Sequence, residues 1–568
     1  MHAVLKVTPA LVILALAGCA SAPPAQTAVA EVAILGINDF HGHIQSADPT
    51  PRVLNLPDPA DPSRKIAVPT GGAAYVASEL AILRKDNANS ITVGVGDLIG
   101  ASPASSSLLN DEPTIEALNR MGLSLSVVGN HEFDAGSDAL LRRIKGECPA
   151  NGCAMPGFSG ARFEYLAANV IDKANGKPFL KPYVIREVGG VKIAFIGTPL
   201  HEVPDMVMAA GIKTLRFEDE VQTINHYVPE IRAQGVRTIV ALVHQGGEYA
   251  GDFNDPTYRC EGLKGPIIDI VKRLDPEVDV VMSAHTHNAY TCKINGRLVT
   301  QGYSYGALVS EIRLKIDRRT GDVLATEATN HVVDQSTLKP DAAMQDFVEQ
   351  TAKQTASLRN QVVGRLANPL TRQAQAGYGD SSLGNLVADA QAAYARRTEP
   401  VDFAITNSGG LRADLPSKPG TERPIVLRFG DLYAAQPFRN NLVVMSLSGV
   451  QVMQLLRDQW QGHEAENPSL LQVSRELTYH WDAARPIQDR VFDVRIGGET
   501  LNLQRNYRVA MNAFLAGGGD GAKVLTQGTD VHGLGLDIDA IRWYTESATA
   551  TLDVQSEGRI RRVDAYGK

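Results

Sequence analysis

Residues 125–134 read Leu-Ser-Val-Val-Gly-Asn-His-Glu-Phe-Asp. The run Leu125–Val128 suits a buried strand, and Gly129 then opens onto an amide, an imidazole and two carboxylates. An apolar run this short, closed by a glycine, fits a strand covered on both faces better than a helix. In α/β sheets, ligands collect beyond the carboxyl ends of such strands. The stretch therefore predicts a layered α/β fold with its chemistry along one sheet edge.

The same pattern recurs on both sides. Upstream, Val32–Ile37 leads into Asn38-Asp39-Phe40-His41, and Ile91–Val95 leads into Gly96-Asp97. Downstream, Lys192–Ile196 is a further run, Thr238–Val243 ends in His244, and Val278–Met282 leads into His285-Thr286-His287. Between them Tyr75, Val76, Leu80 and Leu83 show the spacing of a connecting helix. Asp39 and His41, like His285 and His287, are two residues apart, which on extended chain turns both side chains to one side. A single Asp-x-His is ordinarily a capping or hydrogen-bonded pair. Several strand ends offering nitrogen and oxygen donors within one domain point instead to metal. The mixture of imidazole, carboxylate and amide suits Zn, Mn, Fe or Co rather than an all-oxygen calcium site. With one carboxylate shared, the set serves two ions, the arrangement used for in-line phosphoryl hydrolysis.

Together, in this order, Asp39-Phe-His41, Gly96-Asp97, Gly129-Asn-His-Glu132, His244 and His285-Thr-His287 resemble the calcineurin-like metallophosphoesterases. With its C-terminal half the chain resembles the bacterial 5′-nucleotidase and UDP-sugar hydrolase family over nearly all of the mature sequence. The resemblance implies a first ion held by Asp39, His41 and His287, a second held by Asn130, His244 and His285, and Asp97 bridging both. It implies two divalent ions, with Zn, Mn or Co expected. His287 departs from the family, which often has Gln or Asn there. His131 would stabilise charge on the phosphoryl group, oriented by Asp134. Asn407-Ser-Gly-Gly-Leu-Arg412 resembles the substrate-phosphate turn, giving Asn407 and Arg412 as contacts. Gln436-Pro-Phe438 and Phe514-Leu-Ala-Gly-Gly-Gly-Asp520 resemble the segments that stack on the base, with Asp520 near the ribose. An arginine common in the family shortly before Gly384 is missing, and Arg372 lies out of register with it.

The resemblance implies an N-terminal layered αββα domain over 31–340 and a C-terminal α/β substrate-binding domain over 364–568. Between them 341–363, free of Gly and Pro, reads as a linking helix. Leu383 then begins an expected amphipathic helix. The implied activity is hydrolysis of nucleoside 5′-phosphates in nucleotide scavenging. UDP-sugars and 2′,3′-cyclic nucleotides are open as substrates of the same metals. A catalytically silent surface binding protein is the alternative from another class, and the full ligand set stands against it.

The remaining features bound the setting. The chain has 568 residues, with 55 Lys and Arg against 63 Asp and Glu, a net charge of −8. That balance disfavours a nucleic acid polymer as partner, since the surface field repels phosphate chains. Val7–Ala17 is apolar but far shorter than the ~20 residues of a membrane span, so 1–18 reads as a signal peptide. Leu16-Ala-Gly-Cys19 resembles the lipoprotein cleavage box, which implies lipidation at Cys19 and an outer-membrane lipoprotein facing the periplasm or cell surface. Residues 19–30, rich in Ala and Pro, read as a tether. Four further cysteines in an exported chain suggest two disulfides. Cys148 and Cys153 are local partners in one loop, leaving Cys260 with Cys292. The rival, a zinc site, has poor ligand spacing here.

Overall fold

The computed structural model describes residues 27–47, 52–58, 60–149, 152–417 and 420–564. The expected signal peptide and Cys19 lie outside these residues, as does most of the expected tether. Val29 and Ala30, expected in that tether, already belong to the first strand, Val29–Ile37, and pair with Asp317 and Ile316.

Two six-stranded sheets form the centre of the N-terminal half. In the first, Val29–Ile37, Ser90–Val95, Leu125–Val127 and Glu164–Leu166 run parallel, with Leu308–Asp317 antiparallel beside the first of them. In the second, Val191–Pro199, Thr238–His244, Val280–Ser283 and Arg297–Gly302 run parallel. Strands buried on both faces need apolar side chains on both, which is why these segments read as runs and not as alternations. Ile34, Val93 and Val127 meet Phe195, Val240, Leu242 and Met282 in the core between the sheets.

Helices cover both outer faces. Helix Ala73–Asp86 sets Val76, Leu80 and Leu83 against Leu35 and Ile37. Burying a side chain such as Leu80 contributes about 1.5–3 kcal/mol. On the second sheet, Ile224, Val228 and Ile231 of helix Glu220–Ala233 cover Ile239, Ala241 and Val243. The result is the four-layer αββα arrangement, with the parallel strands ending at one edge.

The expected linking helix spans Ala342–Arg359, and Asp341 caps it by accepting from the Met344 N–H at 2.8 Å. It stops short of residue 363, because Val362–Leu366 pairs as a strand with Ile425–Arg428. Met344, Phe347 and Val348 pack it into the N-terminal core. The C-terminal half is built on a five-stranded sheet around Phe403–Asn407, Asn506–Asn512 and Asn441–Ser448. Helix Ser382–Ala395 begins where expected but is not amphipathic, since residues 382–392 are all buried. Its alanines let neighbours approach on every side. Its one carboxylate, Asp389, is neutralised by Arg559 and Arg475. Both disulfides, Cys148–Cys153 and Cys260–Cys292, are formed. The hairpin Arg52–Asp58/Asp61–Thr70 had no sequence signal, because its prolines and charges interrupt any alternation.

Candidate active site

The strand ends converge as the sequence predicts. Asp39, His41 and His287 bring their donor atoms to one point, and Asp97, His244 and His285 to a neighbouring one. Asp97 Oδ2 stands between the groups, 3.1 Å from His244 Nε2 and 3.7 Å from His41 Nε2. Asn130 Oδ1 is 3.1 Å from His285 Nδ1, and His287 Nε2 is 3.7 Å from Asp39 Oδ1.

Several of these residues have left-handed backbone: φ is 47° at Asp39, 46° at His41, 49° at Asp97, 74° at His285 and 52° at His287. Such φ values are uncommon outside glycine and gather at functional sites. Space is equally tight. A Cβ on Gly129 would fall 2.1 Å from Asp97 Oδ1 and 2.7 Å from the His244 ring.

The ring contacts fix which nitrogens face the cluster. Nδ1 of His41 lies 2.9 Å from the Gly100 carbonyl, and Nδ1 of His244 lies 2.7 Å from the Val95 carbonyl. A carbonyl only accepts, so each Nδ1 carries a proton and each Nε2 is left facing the cluster. His41 Nε2 then faces His287 Nε2 at 3.1 Å. His244 Nε2, buried, faces Asp97 Oδ2 at 3.1 Å. Buried imidazole nitrogens directed at one another and at carboxylates suit a cation between them, and the donor set fits divalent metal.

Charge follows burial. Burial drives the His41 imidazole well below its ordinary range, and brings His285 down to about 4 and His287 to about 3, so these rings are neutral donors. Burial also lifts Asp39 to about 7. Burial opposes the charged form of His244, yet Asp97 outweighs it and pushes the ring up to about 9. Asp97 itself, despite burial, is held ionised well below the carboxylate range by His244 and His131.

Glu132, to which the sequence assigned no role, anchors the Asp97 loop. Its buried carboxylate accepts from the backbone N–H groups of Asp97 and Leu98, both at 2.9 Å, and of Gly129. His131 donates from Nδ1 to Asp134 at 2.9 Å. Burial would lower the His131 pKa, but Asp134 and Asp97 outweigh it and raise the value.

A cleft of about 240 Å³ joins the two halves at this point. His131, His285 and Asn130 line it from one side, and Arg412, Phe438, Phe514 and Asp520 from the other. Phe438 lies against the His131 ring, and Arg412 sits 5.9 Å over Phe438. Asn407 also lines the cleft, but its amide is engaged: it donates to Asp520 at 2.7 Å and accepts from Asn512 at 3.0 Å. Arg372 does not replace the missing arginine. It binds Asp414 and donates to the Arg412 carbonyl at 2.9 Å, bracing the turn. Met206, Val207 and Met208 close the cleft from the N-terminal half, and a bare Met-Val-Met carries no sequence signature.

Comparison with known proteins agrees with this geometry. The calcineurin-like phosphoesterase profile matches residues 32–289, and the profile of the 5′-nucleotidase C-terminal domain matches 362–527. Endonuclease YhcR of Bacillus subtilis is 32% identical over 546 residues, which cover 94% of this chain but 41% of that protein. This chain thus spans less than half of that relative's length. Cell wall protein Lmo0130 of Listeria monocytogenes is 31% identical over 568 residues, covering 93% of this chain and 69% of that protein. The crystal structure of a 5′-nucleotidase precursor from Thermus thermophilus shares the fold, with a TM-score of 0.73 at 24% identity over 94% of this chain and 99% of its own. Two profiles in sequence and a shared two-domain fold around one His/Asp cluster place the chain in the 5′-nucleotidase family of metal-dependent phosphoric ester hydrolases.

Proposed function

We propose that the protein removes phosphate from nucleoside 5′-phosphates. The observation that carries this reading is the single cleft in which His131 and the metal-ligand cluster meet Phe438, Phe514 and Asp520. Asp39, His41 and His287 would hold one divalent ion, Asn130, His244 and His285 a second, and Asp97 both, with Zn, Mn or Co suited to the donors. Bound there, the ions supply Lewis-acid neutralisation of the phosphoryl oxygens.

The chain's own residues do the rest. His131, kept protonated by Asp134 and Asp97, presents Nε2–H to a phosphoryl oxygen as charge builds on it. Arg412 offers a fork of donors to the same phosphate. Asp520, oriented by Asn407, accepts from a ribose hydroxyl. Phe438, Phe514 and the Met206–Met208 segment enclose the base and exclude water. The test is a screen of purified protein with Zn, Mn, Co and Mg against nucleoside mono-, di- and triphosphates, cyclic nucleotides and UDP-sugars. Release of phosphate from AMP or UMP is expected, and no turnover of any nucleotide with any metal overturns the reading.

An extracytoplasmic site of action goes with this activity. One relative is named a cell wall protein, and two disulfides persist best in an oxidising compartment. Lipid attachment at Cys19 would hold the enzyme at the outer membrane. Loss of fatty-acid labelling in Cys19→Ser would support the anchor, and unchanged labelling would reject it.

A further inference from the structure

One wall of the cleft comes from neither the metal donors nor the phenylalanines. Met206, Val207 and Met208 belong to the connection that leaves strand Val191–Pro199 and reaches the turn Ala209–Gly211. A short helix, Val203–Met206, carries the first of them. The connection also meets the C-terminal half. Asp205 Oδ1 lies 3.9 Å from Lys523 Nζ, and a Cβ on Gly517 would stand 4.0 Å from Ala209 Cβ.

Burial decides which contacts hold this connection in place. The side chains of Asp205 and Lys523 are 51% and 75% exposed, and so exposed a pair contributes little. Val203 and Val207 enter the N-terminal core, but apolar contact is non-directional. At the far end Ser137 Oγ donates to the Gly211 carbonyl at 3.1 Å, a neutral bond. The near end is held differently. Glu220, with 3% of its side chain exposed, opens helix Glu220–Ala233, which is packed onto the second sheet. Its carboxylate accepts twice from His201, from the backbone N–H at 3.0 Å and from Nδ1 at 3.0 Å. Glu202 Oε2 stands 3.3 Å from the same Nδ1. Burial works against a charged ring, yet Glu220 and Glu202 outweigh it and raise the His201 pKa. Charge-assisted bonds of this kind are about twice as strong as neutral ones. They fix both the backbone and the ring of His201 shortly before the chain enters the cleft.

We propose that His201 is a positioning residue for base recognition, clamped by Glu220 so that Met206 and Met208 meet a nucleobase lying in the cleft. This rests on the nucleotide reading above. His201 itself does not line the cleft, so its effect passes through the connection. A substrate with a base feels the clamp, and a phosphate ester without one does not.

The test compares UMP with p-nitrophenyl phosphate on the metal-loaded enzyme. His201→Ala should raise KM for UMP by about 3- to 10-fold, the scale of one hydrogen bond. It should leave kcat for UMP, and both constants for p-nitrophenyl phosphate, at parent values. His201→Asn, which keeps an N–H donor near the position of Nδ1, should recover most of the parent KM. Glu220→Gln weakens the same clamp and should raise KM for UMP by a similar factor. The double variant His201→Ala/Glu220→Gln should be no worse than either single one, as two residues acting as one unit require. Calorimetric titration of UMP into His131→Ala enzyme, where turnover is slow, should show binding weakened by the same factor when His201→Ala is added. An unchanged KM in His201→Ala, equal losses on both substrates, an Asn variant no better than the Ala variant, or additive losses in the double variant would each overturn the positioning role and leave the nucleotidase reading intact. No turnover of UMP by the parent enzyme would overturn that reading instead.

Discussion

His131 from the N-terminal half and Phe438 from the C-terminal half lie face to face, with ring centroids 5.7 Å apart and planes 18° from parallel. The residue proposed to meet the phosphoryl group is therefore supported by one proposed to meet the base. Phe438→Ala should lower kcat/KM for UMP by about 1–3 kcal/mol, the scale of base stacking. It should also lower activity on p-nitrophenyl phosphate, to a smaller extent, because His131 loses its support. Phe514→Ala should affect UMP alone. Steady-state kinetics on both substrates decide, and identical profiles for the two variants would contradict the arrangement.

His131→Ala should leave metal content and KM in place while kcat falls by roughly 10²–10³, as for removal of one charge-stabilising donor. Metal-free protein by elemental analysis would show instead that His131 is a ligand.

The pH profile follows from the same pair. The folded-state pKa of His131 is raised, so the protonated form that donates to the phosphate is lost only as pH climbs through that raised value. Asp134→Asn removes the strongest influence holding it up. The alkaline limb of kcat should then move to lower pH. A limb that stays in place assigns it to another group.

Asp97→Ala should lose both ions and nearly all activity, because the carboxylate between the two ligand groups has no substitute. Retention of two metal equivalents by elemental analysis would contradict the bridging role.

The buried ion pairs of the central C-terminal helix predict a stability effect remote from catalysis. Asp389 is held ionised, below its ordinary range, against burial by Arg559 and Arg475. Its contribution is present above the unfolded carboxylate pKa and is lost as pH falls through the lower folded value. Asp389→Ala leaves the buried Arg559 without that partner and should cost about 3–5 kcal/mol in denaturant melts. An unchanged midpoint would show that the pair contributes nothing.

The clustering of the His and Asp residues was legible in the sequence because each sits within a few residues of a strand end, and the strand ends of the two packed sheets converge. Groups recruited from far along the chain were not. Glu132 was visible as a residue, but its role depends on N–H groups of a loop more than thirty positions away. Asn407 sits in a recognisable turn, yet Asp520 and Asn512, over one hundred residues on, decide where its amide points. Helix Ser382–Ala395 misled for a related reason. Small residues fit either a solvated face or a crowded one, and only the surrounding sheet and helices settle which.

The left-handed backbone at Asp39, His41, Asp97, His285 and His287 sets stability against activity. Each such residue costs of order 1–2 kcal/mol relative to glycine, a strain that bound metal can offset and metal-free protein cannot. Screening variants for heat resistance in chelator would therefore enrich glycine or asparagine at these positions and discard the enzyme while improving the fold. His287→Gly, melted without metal, should match or exceed its parent, whereas with metal the parent should be the more stable. A thermostabilised form worth using has to be selected on turnover as well as on melting temperature.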